Sequence, residues 1–305
     1  MLIRLIKKTP NINFLERKTL FFITSGILSI ISVIFLFVKS LNFGIDFKGG
    51  LLLEISLKKN YEINLIRNKL SKIVPGDYSI QNLDNSENNY LIKIETYTNE
   101  KENNQKLILE IKETLNTEFL EVDYRRLEYV GPTVSKELIK AGIFSILIAI
   151  SAMLAYIWFR FELPFAIGAV AALIHDIVLT IGMFSITSLE FNLATVAAIL
   201  LIIGYSMNDT VVVYDRIREN LKKFKKISII SLLNKSVNET LSRTINTTIT
   251  TILALLALYI FGGSIIKDFS FAMIWGILIG TYSSILIATP VLVHLNVKRT
   301  QSQEE

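Results

Sequence analysis

Residues 203–220, "IGYSMNDTVVVYDRIREN", close an apolar run that opens with "FNLATVAAILLIIG" at Phe191, and they put Asn208 and Asp209 where apolar side chains should continue. A carboxylate at the centre of a membrane helix costs roughly 3 kcal/mol or more unless it is neutralised or paired. Arg243 stands at the start of the next apolar run. Opposite charges at matching depth on adjacent antiparallel helices can form an ion pair, and protonating Asp209 would release Arg243. That is the chemistry of moving protons. A plainer reading stays open for each: Asp209 as a helix-end residue among lipid headgroups, and Arg243 as a cation snorkelling to the interface. A second break falls in "ALIHDIVLTIG", where His175 and Asp176 lie near the middle of their own run. At 1.5 Å per residue they sit about 16 to 18 Å deep. They read either as part of a polar relay, with Asn208, or as a buried pair that fastens helices together.

Helices must carry these residues through lipid. The chain is 51% hydrophobic and 19% charged, against about 25% charged for soluble domains, so the balance points to a membrane. Crossing the hydrocarbon takes about 20 apolar residues. Six stretches qualify: Leu20–Val38, Ile139–Phe159, Pro164–Phe184, Leu193–Val213, Ile245–Phe261 and Phe269–Leu295. The predicted organisation is a cytoplasmic tail (1–19), a first span (20–38), a water-exposed domain (39–137), a five-helix bundle (138–295) and a second cytoplasmic tail (296–305). The bundle is expected to contain a basic cytoplasmic loop over 214–243. Lys and Arg set the orientation. The two tails, Arg160 and the 214–243 loop hold sixteen of them, whereas the loops 185–192 and 262–268 hold only Lys267. Both termini are therefore expected in the cytoplasm and the 39–137 domain outside it. The net charge of +5 is then a topology signal, and no nucleic-acid partner is expected. The chain has no cysteine, which excludes disulfides and thiolate metal sites.

Within 39–137, "FGIDFKGGLLLEISL" reads as a strand with a bend or bulge at Gly49–Gly50. "YEINLIRNKLSKIV" puts Ile63, Ile66, Leu70 and Ile73 on one helical face, which Pro75-Gly76 ends. "YSIQNL" and "NYLIKIETY" read as strands joined through "DNSEN", "KENNQKLILEIKETLN" as a second helix and "FLEVDYRRLEYV" as a last strand. The order β-α-β-β-α-β is the split, ferredoxin-like arrangement. The fold class is thus a polytopic α-helical membrane protein with six spans and one extracytoplasmic α+β domain between the first and second. No acid pair, His cluster or phosphate-cradling loop occurs in that domain, so no catalytic residue, metal or cofactor is expected.

Taken in order, "FGIDFKGG", "GPTVSKEL", "IHD", "GYSMNDTVVVYDRIREN", "LSRTINTTITT" and "GTYSSILIATP" resemble the SecF family. This is the family of the smaller subunit of the bacterial SecD–SecF protein-export complex, within the resistance-nodulation-division transporter superfamily. The resemblance implies an accessory translocase subunit of the inner membrane that couples the proton-motive force to late steps of polypeptide export, and no enzyme. It implies a SecD-type partner, the SecYEG translocon with its associated membrane factors, exported preproteins and membrane lipid. By the same resemblance Asp209 and Arg243 belong to a charged cluster that carries protons, nearer the mid-membrane than residue counting puts them. An exporter of small molecules or lipids, sharing the six-span layout, is the alternative. A structural scaffold whose membrane charges serve only assembly is a further rival.

Overall fold

The computed structural model describes residues 10–74, 78–83, 88–95, 101–119, 121–295 and 297. Expectations for Arg4, Lys7, Lys8, Pro75-Gly76, most of "DNSEN", Lys298 and Arg299 fall outside the described residues. The chain divides into two compact units, one of residues 43–143 with 191–193 and one of the remainder.

Strand β1 (Asn42–Phe43) pairs with β6 (Glu190–Phe191), and the smaller unit, which begins at Phe43, continues into the short helix α2 (Ile45–Lys48). Then follow β2 (Gly50–Leu57), α3 (Ile63–Leu70), β3 (Tyr78–Asn82), β4 (Asn89–Ile94), α4 (Lys101–Glu118) and β5 (Val122–Val130). Four strands form one antiparallel sheet in the order β3-β4-β2-β5. This is the ferredoxin-like arrangement. Leu51, Leu53, Ile55 and Leu57 alternate onto one face of β2 and pack with Ile92 and Ile94 under Ile66, Leu70, Ile111 and Leu115 of the two helices. Each such buried side chain contributes roughly 1.5 to 3 kcal/mol.

Two details differ from the sequence reading. The α3 helix stops at Leu70, and the chain then turns so that Val74 is buried while Ile73 is only half-buried. The bulge lies in β5, where Arg125 is the extra residue opposite Glu54 and Ile55. The glycine pair instead serves the turn into β2: Gly49 and Gly50 have φ of 79° and 142°. A β-carbon on Gly50 would also collide with the Ile94 carbonyl.

The larger unit holds α1 (Lys18–Lys39), most of α5 (Pro132–Arg160), α6 (Leu163–Thr187), α7 (Leu193–Lys223), α8 (Ile229–Phe261), α9 (Ser264–Ser283) and α10 (Thr289–His294). A π-helical turn, Ser284–Ala288, joins α9 to α10. It widens the helix just before Pro290, which lacks an N–H for a regular ladder. Among the described residues six helices are long and apolar enough to cross a membrane. The α6 helix is the centre: 67% of its most apolar window is buried, against 6% for α5 and 11% for the first helix. Glycine lets the helices approach. Gly182 of α6 faces Ser32 of α1, while Gly276 and Gly280 of α9 face Ile202 and Ser206 of α7.

The segment 214–243 is not the loop expected from its charges. The α7 helix continues to Lys223 and α8 begins at Ile229, leaving only 224–228 between them. Both arms carry buried apolar side chains. Tyr214, Ile217 and Leu221 are buried on one arm, Leu232, Leu233 and Val237 on the other. Lysines on the outer faces mask that apolar spacing in the sequence. The N-terminal segment lies against the same hairpin. Asn238 accepts from the Ile12 N–H at 3.0 Å and donates to the Ile12 carbonyl at 2.9 Å, and Asn234 accepts from the Leu15 N–H at 3.1 Å.

The α1–α6 contact generates a paired prediction. A β-carbon on Gly182 would strike both the side chain and the Cα of Ser32, whereas one on Gly26 of α1 meets nothing within 4 Å. Gly182→Ala is expected to lower stability by about 1 to 3 kcal/mol through overpacking. Gly26→Ala should be neutral or slightly stabilising. Thermal unfolding in detergent compares them, and equal midpoints would contradict the packing described.

Candidate functional site

Three polar pairs lock α7 to α8. Tyr205 donates to Thr251 at 3.2 Å, Arg216 to Glu239 at 2.6 Å and Asn220 to Ser236 at 2.9 Å. All three fit a single antiparallel register, in which Asp209 is level with Thr247 and Arg243 is level with Val213. The acid and the base are thus offset by about one turn, ~6 Å along the axis. Arg243 is exposed and acts on Asp209 through space. Among the described residues no ion pair within 4.0 Å joins them. Matched depth put them side by side in the sequence reading. The hairpin register separates them.

Asp209 is 3% exposed and stands near the middle of the 31-residue α7, not at a helix end. The neutral Thr281 hydroxyl of α9 also acts on the carboxylate. The Thr281 hydroxyl lies 3.0 Å from that of Thr248 on α8. Among the described residues, the Oδ2 atom of Asp209 and the hydroxyl of Thr244 are buried with no hydrogen-bond partner.

Asp176 is fully buried in α6. Its Oδ2 accepts from Ser206 of α7 at 2.6 Å and from Ser283 of α9 at 2.8 Å, and its Oδ1 is 3.2 Å from His175 Nδ1. The His175 ring stacks on Tyr282 with centroids 6.1 Å apart, and Tyr282 hydrogen-bonds Ser25 of α1 at 2.9 Å. One carboxylate therefore ties α6 to both α7 and α9, with α1 attached through the tyrosine. Beside it, Thr210 and Ser284 pair at 2.8 Å.

The structure thus gathers Asp209 with Arg243 in one neighbourhood and His175 with Asp176 in another. Ser206 and Asp209, one turn apart on α7, connect the two. Asn208 belongs to neither. It is exposed on the other side of α7 and lines a cleft of about 450 Å³ with Tyr156 and Met153 of α5 and with Gly204 and Met207. Sequence reasoning missed Ser206 and Ser283 as partners of Asp176 and Thr281 as a neighbour of Asp209. The signal lay in "GYSMND" and "GTYSSI", where small hydroxyl residues sit at helical spacing from an acid or a glycine.

Comparisons with known proteins agree with this architecture. Residues 110–298 match the family model for protein export membrane protein SecD/SecF, C-terminal, and residues 34–60 match the SecD/SecF GG motif. The protein translocase subunit SecF of Rickettsia rickettsii is 44% identical over 291 residues, covering 95% of this chain and 94% of that protein. The one from Calditerrivibrio nitroreducens is 44% identical over 295 residues, covering 94% and 95%. The crystal structure of SecDF, a translocon-associated membrane protein from Thermus thermophilus, superposes with a TM-score of 0.84 at 33% identity. That match covers 94% of this chain and 39% of the SecDF chain. SecDF in its super-membrane-facing form gives a TM-score of 0.69 at 34% identity. The chain belongs to the SecF family of protein translocase subunits.

Proposed function

We propose that this chain is an accessory subunit of the Sec translocase that couples the proton-motive force to late steps of polypeptide export across the bacterial inner membrane. Asp209 is the proton carrier and Arg243 its electrostatic counterpart. The observation that carries the reading is a carboxylate 3% exposed at mid-helix, with one oxygen unpartnered and a cation within electrostatic reach. A group held that way can change its charge without breaking an ion pair. Each proton entering through about 100 mV brings roughly 2.3 kcal/mol, a bias of well over tenfold on a two-state movement. Apart from the O–H bond of the carried proton, no covalent bond is made or broken in such a cycle.

Lys and Arg asymmetry supports both termini in the cytoplasm and the ferredoxin-like unit outside it. There it would hold emerging preprotein against sliding back. A SecD-type subunit is the expected partner: the Thermus SecDF chain is far longer, and this chain spans 39% of it. The SecYEG translocon, preproteins and surrounding lipid complete the proposed assembly.

Asp209→Asn keeps the shape and hydrogen-bonding capacity of the side chain and removes the titrating group. Translocation into vesicles after ATP-driven transport is arrested should then lose its stimulation by a proton gradient, although the complex still assembles. Stimulation at the wild-type level would refute the carrier role. Arg243→Lys, which keeps a charge without the planar fork, should impair transport less than Arg243→Met.

Asp176 has a different expected signature. Asp176→Ala strands the hydroxyls of Ser206 and Ser283, and should lower stability by about 1 kcal/mol per lost bond, read as a reduced unfolding midpoint and yield of the complex. An unchanged midpoint would show that this junction does not hold the helices.

A further inference from the structure

The hydrogen bonds around Asp176 leave one ring atom out. His175 is 8% exposed, and among the described residues its Nε2 is buried with no hydrogen-bond partner. Its Nδ1 lies 3.2 Å from Oδ1 of Asp176, whose Oδ2 accepts from Ser206 at 2.6 Å and from Ser283 at 2.8 Å. Among the described residues His175 is the only basic side chain within 4.0 Å of this carboxylate.

Hydrogen-bond chemistry fixes where the ring proton sits. An ionised carboxylate can only accept, so the proton of a neutral imidazole beside it must be on Nδ1. Nε2 is then a bare lone pair enclosed in protein. The pair as a whole carries one negative charge with no cation against it, and burying a net charge is costly. A proton on Nε2 removes that charge and makes the contact between Nδ1 and Oδ1 charge-assisted. Nε2 lacks a partner in either state, so the net charge decides between them. Whether the bridging proton then rests on Nδ1 or on Oδ1, Nε2 holds the added one.

We propose that His175 and Asp176 form a second proton-binding site, in which Nε2 takes up the proton and Asp176 holds the ring in the tautomer that leaves Nε2 bare. The site goes beyond the reading of Asp209 as the carrier and does not depend on it. Few other titratable or charged groups face it. Tyr282 of α9 stacks on the ring, with its own hydroxyl bonded to Ser25 of α1. On α7 the acid one turn from Ser206 is Asp209. The α1 helix carries charge only at its ends, Lys18 and Lys39, and the π-helical turn carries none. The His294 ring of α10 lies against Phe22 and the Pro290 carbonyl. Loading and emptying the site changes the charge at the junction of α6 with α7 and α9, while both serine bonds can stay in place.

The chain has two histidines, which suits nitrogen-15 NMR of labelled histidine, because bare and protonated ring nitrogens resonate far apart. The test uses the full chain, labelled and reconstituted with an unlabelled SecD-type partner. His294→Gln leaves His175 as the one labelled ring. Histidine ordinarily changes charge between about pH 8 and pH 5. At the upper limit Nδ1 should be protonated and Nε2 bare, and at the lower limit Nε2 should be protonated. Asp176→Asn, added to this background, inverts the pattern. Its amide oxygen takes the place of Oδ2 before the two serines, so its NH2, which can only donate, faces Nδ1. The ring should then show a bare Nδ1 and a protonated Nε2 at both limits. Asp209→Asn should leave the His175 signals unchanged. An Nε2 that is protonated at the upper limit, or bare at both, overturns the proposal without any change at Asp176. An Asp176→Asn ring that keeps the proton on Nδ1 overturns it as well. Loss of proton uptake at His175 in Asp209→Asn would mean one shared site, and the second site falls.

Discussion

A fully buried carboxylate must have hydrogen-bond donors brought to it, and Asp176 imposes that demand at the centre of the bundle. Serine is the shortest hydroxyl donor, so Ser206 and Ser283 reach the acid only if α7 and α9 come close to α6. Close approach needs a small facing residue. A β-carbon on Gly280 would press on Ser206, and one on Gly276 would strike Ile202. The hydrogen bonds and the glycines are two halves of one requirement. Once they fix α7 against α9, the positions of Asp209 and Thr281 follow, each within a turn of a residue already pinned.

The two acids show how similar residues are put to different ends by their surroundings. Asp176 is saturated: both oxygens have partners, Oδ1 the neighbouring His175 and Oδ2 two serines on other helices. Asp209 is left with one oxygen unpartnered and a cation held at a distance. A direct ion pair with Arg243 would have satisfied the acid more fully and made its protonation harder. The hairpin register, set in part by Arg216, Glu239, Asn220 and Ser236 beyond the charged pair, offsets the two by about one turn.

Hydropathy made the spans legible, because roughly 20 apolar residues in a row have few other uses. Alternating strands and two amphipathic helices likewise disclosed the ferredoxin-like unit. Helix ends were harder to read. Beyond lipid, α7 and α8 continue with buried Ile217, Leu221, Leu232 and Leu233 set among lysines, and local charge outweighs that spacing in any short window. The acids themselves were visible because charge in an apolar run is rare. Their serine and threonine partners were not, since hydroxyls are common in membrane helices and nothing local distinguishes one that bonds to its own backbone from one that reaches across. The expected Asp209–Arg243 contact failed for a related reason: depth along a helix says nothing about register against its neighbour.

The two asparagines that grip the N-terminal segment impose an order on biosynthesis. Ile12 and Asn238 are 226 positions apart, so Ile12 meets its partner only when the start of α8 has been made. At about 5 to 20 residues per second that is a wait of roughly ten seconds or more. Until then α1 can stand in the membrane without its fastening to α8. The contact between Ile12 and Asn238 thus marks a chain whose synthesis has passed Asp209, and a truncated chain lacking α8 could not make it.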